Sequence, residues 1–147
     1  MFANIQLGRV ISLSDTQSTS PRMQSIDVSS ITPQPQVGWT YDGTNFAIPV
    51  LDPVVYAGLK IKAGNDILFQ TQAMISAQNT ALNLTVAQIA AIMTSFSQLQ
   101  SLLQVGALAT SLQLIQSMAP NYSDYTDAFN YAQNAINQFQ AVYGTIQ

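Results

Sequence analysis

The sequence contains no cysteine, no histidine and no glutamate. Without cysteine there is no disulfide, thiol nucleophile or thiolate metal site. Without histidine there is no imidazole to serve as general base near neutral pH or as metal ligand. Acidity rests on seven aspartates, set against four lysines and arginines, for a formal net charge of −3. The aspartates are scattered. Asp124 and Asp127 stand three apart, but at the start of a predicted helix, where they favour the positive helix terminus rather than form a catalytic dyad. No catalytic, cofactor-binding or metal-binding residue is assigned, and no small-molecule substrate is expected. The cations Arg9, Arg22, Lys60 and Lys62 form no basic patch with interleaved aromatics, which disfavours nucleic acid as a partner.

Charge as a whole is scarce. It makes up 7% of residues, against about 25% in an ordinary globular protein. Amides and hydroxyls take its place, including eighteen glutamines. The hydrophobic fraction of 48% is enough to build a core. A surface of Gln, Asn, Ser and Thr lacks the like-charge repulsion that keeps copies of a monomer apart, and so suits a subunit that packs against copies or neighbours. Residues 67–123 carry no charge, yet polar side chains interrupt each apolar run well short of the roughly 18 residues of a membrane span. Residues 1–20 show no basic segment followed by an apolar one, so the protein is expected to be made and folded in the cytosol, without a membrane partner.

The pattern predicts an α+β chain: a small β-module at 1–50, a linker at 51–65 and a helical packing region at 66–147. In the module, Ala3–Leu7 and Val10–Leu13 read as a hairpin turning at Gly8-Arg9. Residues 14–22 read as a polar loop, and Met23–Val28 as a further strand. The segment Gly38-Trp39-Thr40-Tyr41-Asp42-Gly43 continues to Phe46. Asp42-Gly43 signals a turn. Alternation places the Trp39 and Tyr41 rings on one face, with Phe46 beside them across the turn. The three read as module core; the alternative is Trp39 exposed as a docking anchor. Pro49 and Pro53 bracket a linker or extended arm, Val54–Lys62 reads either way, and Gly64-Asn65-Asp66 punctuates the entry to the helix that follows, with Asn65 or Asp66 as its expected cap.

From residue 68 an apolar residue recurs every seventh position: Leu68, Ile75, Leu82, Ile89, Phe96 and Leu103. Two readings fit. One is a continuous helix roughly 60 Å long that forms a coiled-coil seam between copies. The other is a break near Asn79–Thr85, with Thr85 capping a second helix of an intramolecular bundle. The lack of charge at positions flanking the stripe favours the second. Helix continues or resumes from Ala107 to Met118. A last helix over 123–144, with Ser123 as N-cap, carries a packing face of Tyr125, Phe129, Ala132, Ile136, Phe139 and Tyr143.

The stretch Gln36–Phe46, with its Gly-Trp-x-Tyr-Asp-Gly-x-x-Phe motif, resembles the N-terminal module of tailed-bacteriophage tail-fibre, tail-fibre-assembly and related virion proteins. Those modules open with a short hairpin around a glycine, pass through a polar loop and reach this motif before a proline-containing linker. Gly8, residues 14–22, the motif and Pro49 keep that order over the first third of the chain. The resemblance implies a non-enzymatic structural subunit of the virion: a short fibre, a neck or tail attachment protein, or a decoration protein. It would be a homo-oligomer, most plausibly a trimer, held to other virion proteins. The chain has no repetitive β-shaft or tip for recognising host sugar. Two alternatives stand beside this reading: a tail-fibre assembly chaperone left out of the particle, and an exported or membrane-active helical protein.

Overall fold

The computed structural model describes residues 1–146. The fold is α+β: an N-terminal antiparallel sheet of five strands is followed by four α-helices. Two units can be described. One comprises Met1–Val50 with Gln140–Thr145, the other Leu51–Phe139 with Ile146.

In the first unit the strands are β1 (Phe2–Gln6), β2 (Arg9–Ser14), β3 (Gln24–Asp27), β4 (Thr40–Tyr41) and β5 (Phe46–Ala47), in the order β3-β1-β2-β4-β5. The expected hairpin is present, but its turn lies one residue earlier than predicted. Gln6 pairs with Arg9, which leaves Leu7-Gly8 as a two-residue turn. Both residues have positive φ, 51° and 72°, as the I′ hairpin turn requires. A bulge between Asn4 and Ile5 lets Ala3, Ile5 and Val10 share one face. They form the buried core with Val28 and Trp39, lined by Leu13, Ile26, Ile31, Tyr41 and Phe46. The buried Asn4 amide donates to the Ser12 and Ser14 hydroxyls, each at 3.1 Å, and accepts from the Ser25 hydroxyl at 2.8 Å. A buried amide so fully partnered avoids the cost of an unmade hydrogen bond.

The second unit begins earlier than expected. Residues 53–65 are helical, not linker: α1 runs Pro53–Ala81. Proline at the first helical position costs no hydrogen bond, and its fixed φ suits the helix start. Asp52 caps that start, its carboxylate accepting from the Val54 and Val55 amides at 2.8 and 3.4 Å. Asn65 and Asp66, expected as caps, lie in mid-helix. Asn65 donates back to the Ile61 carbonyl at 2.9 Å, and Asp66 pairs with Lys62 one turn earlier at 2.6 Å.

The helix does break at 82–85. Asn83 takes φ 52°; its amide donates to the Thr80 carbonyl and that of Leu84 to the Asn79 carbonyl, a Schellman ending. Thr85 then opens α2 (Val86–Gln104) with a reciprocal capping box to Gln88. A second Schellman ending at Gly106 leads into α3 (Leu108–Met118). Ser123 does not cap the last helix. It starts a short 3-10 turn, Ser123–Tyr125, before α4 (Thr126–Tyr143). The core of this unit is built on Phe96, whose ring meets Tyr122, Tyr125 and Phe129 with centroids 5.0, 5.5 and 5.6 Å away. No helix among the described residues is long and apolar enough to cross a membrane.

Candidate functional site

The motif residues lie in the first unit as a structural cluster. Trp39 precedes β4, is only 5% exposed and sits in the core. Its indole N–H donates to the Val142 carbonyl at 3.0 Å. That satisfies the one polar atom of the ring, as a buried tryptophan requires. Tyr41 and Phe46 pair across β4–β5 with ring centroids 4.6 Å apart. Asp42 holds the turn. Its carboxylate accepts from the Thr44 and Asn45 amides at 2.8 and 2.7 Å, and these bonds hold its pKa below the usual carboxylate value. Gly43 has φ 103°, and its carbonyl accepts from the Tyr41 hydroxyl at 2.8 Å. The docking role considered for Trp39 is therefore not available to it as it stands: the ring is buried.

The seven-residue stripe is divided between α1 and α2 and does not form one continuous seam. Ile75, Phe96 and Leu103 are buried, Leu68 and Ile89 are half-buried, and Leu82 is exposed beside the break. Half of the stripe is therefore buried in the core of this one chain. On α4, Phe129, Ala132, Ile136 and Phe139 are buried as expected, as is Tyr125 just before the helix; Tyr143 is half-buried. The Tyr125 hydroxyl donates to the Asn79 side-chain oxygen at 2.5 Å. Burial, with the Asp124 carboxylate nearby, pushes its pKa up.

Among the described residues no group of three or more metal-ligating side chains occurs. A cavity of about 10 Å³ beside Thr71, Phe96 and Gln100 is the size of one water. Two open grooves lie on the helical unit. One, of about 390 Å³, runs past Gln72, Ser76, Asn79, Thr80, Ile89 and Met93. The other, of about 340 Å³, is lined by Met74, Ala77, Ala81 and Tyr125 together with Asp124 and Asp127.

Large apolar side chains also stand in the open: Val54 at 80%, Phe69 at 70%, Val86 at 85% and Leu7 at 100%. Reasoning from the sequence missed Leu7, because the turn was placed on Gly8-Arg9. The signal that locates it is the preference of a two-residue I′ turn for glycine at its second central position, which puts Gly8 there and Leu7 at the first. Comparison with protein-family models, with curated proteins and with solved structures finds no match to this chain.

Proposed function

We propose that this protein is a non-enzymatic structural component of a tailed-phage particle, acting through protein–protein assembly as a homo-oligomer bound to other virion proteins. The observation that carries the reading is the Gly38–Phe46 motif. Its resemblance to phage modules extends to the order of hairpin, polar loop, motif and proline that surrounds it. The surface supports an assembly role. With 7% charged residues, the chain exposes Val54, Phe69 and Val86 with little electrostatic repulsion to keep copies apart. A location in the virion and a short-fibre, neck, tail-attachment or decoration role belong to this same proposal.

The test is quantitative mass spectrometry of purified particles. The expected result is the protein at a fixed copy number per particle. Abundance in infected cells together with absence from purified particles would overturn the structural role and favour the assembly chaperone.

A further inference from the structure

Leu7 is poorly chosen for its own fold. It occupies the left-handed region at φ 51°, where a Cβ is strained and where Asn, Asp or Gly is the ordinary choice. Its side chain is also fully exposed, so it gains nothing from the module's core. A backbone position held in strain, carrying an apolar side chain into solvent, points to a role outside the module. The tip is held in place: the Tyr41 amide donates to the Gly8 carbonyl at 2.8 Å, and Arg9, exposed, pairs with Thr40.

The charges indicate what the tip meets. Arg9 is one of four cationic side chains in the chain, and it stands two residues from Leu7. Asp124 and Asp127 are the only charged side chains in residues 67–147, and both are exposed and line the groove together with Met74, Ala77, Ala81 and Tyr125. The other groove has no charged residue in its lining.

We propose that Leu7 of one copy enters the Met74–Tyr125 groove of a second copy, with Arg9 facing Asp124 and Asp127. This rests on the assembly reading above and names the partner. Leu7 is the anchor, because an exposed ion pair contributes little affinity; the charges fix the orientation. The contact is heterologous, a tip into a groove, so each copy both offers a tip and receives one.

Sedimentation velocity of the full chain over a range of concentrations tests it. The wild type is expected to associate beyond the monomer mass as concentration rises. Leu7→Asn should weaken association by about tenfold or more, from the loss of a buried leucine. The same variant should melt at a higher temperature, because Asn tolerates the turn. Arg9→Glu alone and Asp124→Lys/Asp127→Lys alone should each weaken association, because each sets like charges against each other, and combining all three substitutions in one chain should restore it. A monomeric wild type, unchanged association in Leu7→Asn, or no recovery in the combined variant would each overturn the contact. Lower melting of Leu7→Asn would overturn the strain argument. Particle mass spectrometry separates the two proposals: a protein present in particles whose Leu7→Asn variant assembles normally refutes this contact alone.

Discussion

Two glycines six residues apart in α1 should respond in opposite directions to the same substitution. A Cβ added at Gly58 meets no atom within 4 Å. Gly58→Ala therefore changes helix propensity alone and should stabilise the protein by about 0.5–1 kcal/mol. At Gly64 the same Cβ would stand 1.9 Å from the Leu103 carbonyl oxygen and 2.9 Å from its carbonyl carbon. Ordinary approach is about 3.5 Å, and neither atom can rotate away, because both belong to the backbone of α2. The helices must separate by more than about 1 Å, loosening the packing of Ile67 and Leu103, each buried to within 3%. Overpacking of this kind costs up to about 3 kcal/mol. Less about 1 kcal/mol of propensity gained, Gly64→Ala should destabilise by about 2 kcal/mol. For a chain of this size that is a fall in melting temperature of about 8 °C, against a rise of about 2–4 °C for Gly58→Ala. Thermal unfolding followed by circular dichroism at 222 nm measures both. A Gly64→Ala variant as stable as the wild type, or shifted in the same direction as Gly58→Ala, would refute the close approach of the two helices.

Three further outcomes are expected. Thr85→Ala removes the hydroxyl that accepts from the Gln88 amide at 3.3 Å and should cost about 1 kcal/mol in denaturant unfolding; no loss would mean that the α2 start is held by packing alone. Tyr125→Phe leaves the buried Asn79 oxygen without its hydroxyl donor and should cost about 1–3 kcal/mol. Because the folded pKa of Tyr125 lies above its ordinary value, its contribution is complete below that value and is lost as pH rises through the folded pKa. Alkaline unfolding curves of wild type and Tyr125→Phe should accordingly converge at high pH, and parallel curves would contradict the linkage. Trp39, the only tryptophan, should emit at short wavelength and resist iodide quenching; a red maximum with easy quenching would place the ring in water.

The order of elements was legible in residues 1–50 because turn chemistry is local. Asp42-Gly43 marks a turn, alternation marks the rings, and the hairpin was off by only one residue. The α4 packing face was legible for a related reason: a stripe of large apolar side chains at helical spacing has one economical use, and Phe129, Ile136 and Phe139 take it. The reading failed at Pro53. Pro49 and Pro53 suggest a linker, but a proline costs nothing at a helix's first position when Asp52 supplies the cap. Gly64 looked like punctuation and is instead a point of close helix approach, a role set by Leu103, some forty residues away.

By itself, then, the sequence determined what the chain cannot do and the kinds of element it forms. Composition removes thiol and imidazole chemistry, and local periodicity sets strand against helix. It also contained the break at Asn83–Thr85, since an amide that tolerates positive φ and a Thr-x-x-Gln cap are both local signals. Only the tertiary structure decided where the seven-residue stripe points. Spacing shows that Leu68 through Leu103 can share a face of one helix. The turn at 82–85 assigns Ile75 and Phe96 to different helices of one core. In the β-module, packing against Ala3, Ile5, Val10 and Val28 buries Trp39, and the β1–β2 turn leaves Leu7 standing in solvent.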